Sequence, residues 1–362
     1  MSGISTFLFT ANISFTWGLA LTYSWTEETE GDRISDISAL EFHIDSHNQR
    51  CEERKRNLPL YIPTGIQIET IGLENPNDLT FSGSVWQRYT DASAAPDKSS
   101  PPPFQFAGAL SSAISELSRK DSQGEIVILW KFRAVIRQRL DASEYPLDQE
   151  RLAIRLLPLE RDGGTALIPD LRGYKLLLPS SLPGIHEDAF LSGWKLREAY
   201  FELKKQDSPA NLGLERSVDE VHFPSLSYDL VIRRDFVDSF LSNLTPLILV
   251  AVMLFAILLL AGKIDYGRAF SICVGMLFVI VLSHIRIRDR ISSDHIFYLE
   301  YFYFIIYCSV LWVAINSIRE PLGLKLSFFG RDNHLIAHIL YWPFLLGVLS
   351  VITFFTFYFE GS

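Results

Sequence analysis

Two histidines four residues apart, His334 and His338, three cysteines, and a basic run Arg286-Ile287-Arg288-Asp289-Arg290 are the side chains here whose types and spacing could do chemistry. The histidines would share a helix face, but a pair of ligands falls short of a zinc site. They also stand at the start of a long apolar run, where an interfacial position suits them, so no metal is expected. Cys273 and Cys308 fall inside apolar runs and Cys51 is left without an evident aqueous partner, which argues against a disulfide framework. The chain has no Gly-x-Ser-x-Gly elbow, no glycine loop before a Lys-Ser/Thr and no His-Glu-x-x-His. Neither an enzyme nor a cofactor is therefore expected. A net charge of -9 without a long basic block gives no footprint for nucleic acid.

The elements that must position these residues divide the chain in two. Phe240 to Gly262, Ala269 to Ile285, Tyr301 to Ile318 and Leu335 to Phe359 are long uncharged runs, each near the roughly 20 residues a helix needs to cross a bilayer. A bilayer leaves exposed backbone groups without partners and so favours complete helices. The second run is the shortest. Residues 1–25 form another apolar segment, without a basic leader or small-residue cleavage site; signal peptide, anchor and extra span all stay open. Residues 26–60 form a charged connector in which Ile34, Ile37, Leu40 and Ile44 are spaced for an amphipathic helix.

From Tyr61 the period changes to that of strands, at Ile66 to Ile71, Leu79 to Val85, Ile126 to Ile136, Leu152 to Leu156, Trp194 to Leu203 and Tyr228 to Ile232. Turns at Asn75-Pro76-Asn77-Asp78, Asp162-Gly163-Gly164 and Ser181-Leu182-Pro183-Gly184 separate them. Short alternating strands with such punctuation predict an antiparallel β-sandwich over residues 61–235, followed by an all-α transmembrane domain over 236–362. Pro101-Pro102-Pro103 cannot pair in a central strand.

Two segments carry a resemblance. Between strands lies Leu140-Asp141-Ala142-Ser143-Glu144-Tyr145-Pro146-Leu147-Asp148, and before the first apolar run lies Ile232-Arg233-Arg234, with Pro246 twelve residues after Arg234. With four spans after a β domain, the chain resembles the pentameric ligand-gated ion channels, the Cys-loop receptor superfamily, in a divergent bacterial form lacking the loop cysteines. The resemblance runs from about Tyr61 to the C-terminus and includes Gly193-Trp194. It implies a homopentamer in a lipid bilayer, an extracellular or periplasmic domain that senses a small molecule or protons, and a second span that lines a path for permeating ions.

The resemblance further implies that Glu74, Tyr145, Pro146, Asp148, Arg234 and Arg288 form a gating interface. An arginine between carboxylates in a partly dry place makes short, charge-assisted bonds, and truncating one partner strands the others. For the pore, one register aligns Phe270, Val274, Leu277, Val281 and His284. The other runs from Arg268 through Ser271, Gly275, Phe278, Leu282 and Ile285 to Asp289. The second is small and polar at one end, apolar in the middle and polar at the other, which better suits a wettable pore with a hydrophobic gate.

Asp265-Tyr266-Gly267-Arg268-Ala269 contains neither the glutamate of cation channels nor the Pro-Ala of anion channels, so selectivity does not carry over. The basic run after the second span is expected to be a loop that pairs with Asp148 or Glu74, and it would repel cations. The ligand loops fall near Pro103-Phe104-Gln105-Phe106, after Leu156, and between Leu203 and Ser227. Phe104, Phe106 and Phe223 suit the core better than an aromatic cage, and no ligand is assigned. Lys263 with Arg268, and Arg319 with Lys325 and Arg331, place the first and third inter-span loops in the cytoplasm and the large domain outside. A retained N-terminal helix would then make five spans.

Overall fold

A computed structural model describes residues 2–22, 32–75, 77–90, 94–98, 100–122, 124–159, 164–205, 223–260, 264–291, 295–319 and 334–359. The chain forms two compact units, one of sheets (Thr26–Leu140 and Gln149–Arg233) and one of helices (Met1–Trp25, Asp141–Asp148 and Arg234–Ser362).

In the sheet unit, alternating sequence becomes ten strands. They are β1 (Asp32–Ile34), β2 (Leu60–Asn75), β3 (Asp78–Tyr89), β4 (Phe104–Phe106), β5 (Ala109–Ser122), β6 (Glu125–Arg137), β7 (Gln149–Pro158), β8 (Thr165–Pro169), β9 (Trp194–Lys204) and β10 (Ser225–Arg234). One sheet has the order β1-β9-β10-β7-β4 and the other β5-β6-β3-β2-β8. The pairs β1–β9, β10–β7, β4–β7, β2–β3, β3–β6 and β5–β6 are antiparallel, and β8 runs parallel to β2. Because alternate side chains point to opposite faces, Ile66, Phe81 and Phe132 of one sheet join Ile154, Phe201 and Tyr228 of the other in one buried cluster. Phe106 meets Phe81 edge-on at 5.3 Å. At Gly83 the strands approach so closely that a Cβ would lie 1.9 Å from the Gln67 carbonyl oxygen.

Each expected strand lies within an observed one, but β1, β4, β8 and, the longest of these, β5 have no counterpart among those expected. The sequence of β5 mixes Leu and Ile with Ser, Glu, Arg and Lys. It pairs with β6 alone at the sheet edge and leaves Leu110 and Leu117 exposed. The connector also differs from expectation. Ile34 belongs to β1, opposite Phe201, and helix α2 (Ile37–Glu53) begins only after Asp36, whose side chain accepts from the Ala39 amide at 2.7 Å. That N-cap supplies an acceptor for an otherwise unpaired amide and fixes the start of the helix. Both elements belong to the sheet unit rather than standing apart from it.

The helical unit contains α1 (Ser2–Thr22), α3 (Phe236–Leu259), α4 (Tyr266–Ile291), α5 (Tyr298–Arg319) and α6 (His334–Phe359). The last four are long and apolar enough to cross a membrane. Asp235 caps α3, and Pro246 lies inside it. The α4 helix is longer than its apolar run: Arg286 to Arg290, expected as a loop, form its last turns. Cations there oppose the partial negative charge of a helix C-terminus, so the basic run favours continuation of the helix.

The α1 helix packs into this unit rather than beside it. Ile13 and Thr16 are buried, and Trp17 lies against Phe236, Phe240 and Phe302. Trp17 Nε1 donates to the Tyr298 hydroxyl at 2.9 Å, while Ser350 Oγ donates to Asn12 Oδ1 at 2.8 Å. One helix thus touches α3, α5 and α6.

Candidate functional site

The ladder of β7 with β10 ends at the pair Arg233 and Gln149. One step further, the Arg234 amide donates to the Asp148 carbonyl at 3.1 Å, which sets the two side chains next to each other. Arg234 Nε donates to Asp148 Oδ1 at 2.7 Å and Oδ2 at 2.9 Å, and Nη2 to Oδ2 at 2.7 Å. The Asp148 side chain is 3% exposed and that of Arg234 19%. Such a forked, charge-assisted contact fixes direction as well as distance.

The segment 141–148 lies among helix ends, in the helical unit. The Tyr145 ring lies 4.6 Å beneath the Arg234 guanidinium and 5.8 Å from Phe297. Its hydroxyl accepts from Asn243 Nδ2 of α3 at 2.7 Å. Burial pushes the Tyr145 pKa up, which keeps that hydroxyl protonated. The Tyr298 amide, at the start of α5, donates to the Ser143 carbonyl at 2.7 Å. The Tyr145-Pro146 peptide is cis, and Leu147 is buried with the helices. Of the expected gating residues, Tyr145, Pro146, Asp148 and Arg234 thus come together. The side chain of Glu74 lies outside the described residues.

Arg288 does not pair with Asp148. Its Nη1 donates to Glu300 Oε1 of α5 at 2.9 Å, because α4 continues past the apolar run and carries Arg288 along its own side. His284 Nε2 lies 3.0 Å from the same oxygen, and Nδ1 lies 3.1 Å from the Tyr307 hydroxyl. Glu300 is fully buried. Sequence reasoning missed this node, since Glu300 stands one residue before an apolar run. A lone carboxylate at that border was the available signal.

The buried face of α4 carries Ala269, Cys273, Met276, Ile280, Ile287 and Ile291. At 3.6 residues per turn the opposite face carries Ser271, Gly275, Phe278, Leu282, Ile285 and Asp289, and each is exposed, as is Arg268. Ser271 Oγ donates to the Gly267 carbonyl. In the alternative stripe, Leu277 is half-buried and His284 is turned to α5.

The ligand loops present no cage among the described residues. Phe104 and Phe106 are core side chains, and Phe223 packs edge-on to Tyr61 and His47. Residues 206–222 of the expected hairpin lie outside the described residues. The three thiols are free, and no group of metal-ligating side chains occurs among the described residues; the side chains of His334 and His338 are not described. On the sheet unit, Arg151 and Lys204 pair with Glu202 and Asp229, both fully buried.

Two sheets followed by four membrane-length helices define the class as a multi-pass membrane protein with a large β domain. No protein-family model matches the chain, and no curated protein matches it.

Proposed function

We propose that this chain is a subunit of a homopentameric ligand-gated ion channel related to the Cys-loop receptors. Its β-sandwich domain lies outside the cell and senses a small molecule or protons, α4 lines the pore, and α1 is a retained fifth span. The observation that carries this reading is the Arg234–Asp148 fork on a loop buried among helix ends. That loop joins β6 to β7, and Arg234 is the last residue of β10, one residue before the cap of α3. Displacement of those strands is therefore delivered to α3 and α5 through Asn243, Phe297 and Tyr298.

The exposed stripe from Ser271 to Asp289 supports the pore assignment. Five copies of one helix around an axis would turn such a face inward, with Phe278, Leu282 and Ile285 as an apolar constriction between polar ends. The α1 contacts support its retention, since excision would uncover the buried Tyr298. Particle images of the protein in lipid nanodiscs test the assembly: five-fold rings are expected, and monomers or dimers would refute it.

A further inference from the structure

We propose that the His284 imidazole is a proton-binding site that exchanges the partner of Glu300, taking over the carboxylate from Arg288 when it gains a proton. Ionisable groups on membrane-spanning helices are costly and mark functional positions. Here a carboxylate, an imidazole and a guanidinium meet at one oxygen, Glu300 Oε1, at 3.0 Å from His284 and 2.9 Å from Arg288. The other oxygen, Oε2, is buried and has no hydrogen-bond partner among the described residues. The two donors must therefore share Oε1.

The hydrogen bonds dictate what a proton does. An ionised Glu300 only accepts, so His284 donates through Nε2–H and, when neutral, accepts the Tyr307 hydroxyl hydrogen at Nδ1. An arriving proton bonds to Nδ1. The Tyr307 hydroxyl must then turn from donor to acceptor, and the imidazolium becomes a charged donor to Oε1. The bond from Arg288 Nη1 to Oε1 is the one that breaks, and the guanidinium is left to water.

The ring is stacked on Tyr303 at 4.8 Å with Phe304 edge-on. From α5 the titratable groups facing it are Glu300, Tyr303 and Tyr307; its own helix supplies Arg288, four residues on. No residue of α3 or α6 bonds to or stacks on the ring among the described residues. Arg288, with its side chain 47% exposed, is the partner free to leave, whereas Glu300 is not. Histidine is the side chain whose ordinary charge change falls between about pH 5 and 8, which sets the range over which the exchange is tested. On the channel reading, release of five arginines beside the pore face alters its field.

The test uses the full chain reconstituted in vesicles and stepped from about pH 8 to about pH 5. Infrared difference spectra of wild type minus His284→Asn isolate this histidine from the others. Support is an imidazole protonation band accompanied by a shift of the carboxylate stretch that Glu300→Gln abolishes. An imidazole band without that carboxylate shift overturns the exchange, and spectra unchanged by His284→Asn overturn the site. If His284→Asn fails to assemble, His284→Gln gives the same subtraction. Currents are recorded in parallel, and the acid response should fall at least tenfold in the variant. Silence in every protein with the coupled bands intact would refute the channel reading and leave the proton site standing. Acid-sensitive currents unchanged in His284→Asn would refute the switch and leave the channel reading standing.

Discussion

Arg234→Gln removes the only part of the fork that carries positive charge and leaves the amide of residue 234 bonded to the Asp148 carbonyl. Asp148, at 3% exposure, loses three side-chain bonds of 2.7 to 2.9 Å. Breaking a buried pair by deleting one partner costs about 3–5 kcal/mol. Arg234 is itself partly solvated, so the low end applies, about 3 kcal/mol. A unit of this size loses about 2–4 °C per kcal/mol, so the thermal midpoint in nanodiscs should fall by roughly 6–12 °C. The assay is tryptophan fluorescence at one scan rate, run as a cycle with Asp148→Asn and the double variant. The double variant should recover most of the loss, with a coupling above about 1.5 kcal/mol. Losses that add within about 0.5 kcal/mol would mean the two side chains act independently, and the proposed joint would fail.

Three further outcomes follow from particular contacts. Burial holds the Lys204 pKa below its ordinary 10.5. The unfolded chain then binds more protons between the two values, so this group's contribution to stability rises as pH climbs through that window. Lys204→Met should remove the rise, so that wild type minus variant isolates it, and a variant profile with the same rise would refute it. Gly83→Ala sets a Cβ against the Gln67 backbone oxygen, and since backbone cannot yield as a flexible side chain does, a loss of about 3 kcal/mol or more is expected in denaturant melts. Wild-type stability would refute the close approach. Trp17→Ala deletes a ring packed on three aromatic residues and the partner of Tyr298, a change worth about 3 kcal/mol. The variant should lose its assembled form faster in detergent, and mass spectrometry should find residues 2–22 on the mature wild-type chain. Their absence would refute the fifth span.

Local pattern explains what was legible in the sequence. The period-two runs marked six strands because each turns its large apolar side chains to one face, whereas β5 lies at an edge, and its exposed leucines carry no alternation. Run length marked the four spans, and the Tyr145 to Asp148 turn stood out because its residues are contiguous. Arg234 was placed beside Asp148 by family resemblance, and in the structure a ladder register performs that placement. Ile34 fitted a helical spacing, but spacing alone does not reveal that Asp36 caps the helix after it. Arg288 meets Glu300 rather than Asp148 because the apolar run ends at Ile285 while the helix ends at Ile291. Six more residues of helix turn the arginine along α5 toward Glu300. The node of His284 with Glu300 joins different helices, so no spacing within either one announces it.

Current through planar bilayers containing purified pentamers, recorded over pH steps and a panel of amines and amino acids, bears most directly on the proposed function. Discrete openings are expected, and they should be blocked when Leu282→Cys is modified by a bulky thiol reagent, because Leu282 lies opposite the buried face of α4. Pentamers that stay silent throughout, or openings indifferent to modification at Leu282, would contradict the assignment of α4 as the wall of an ion pore.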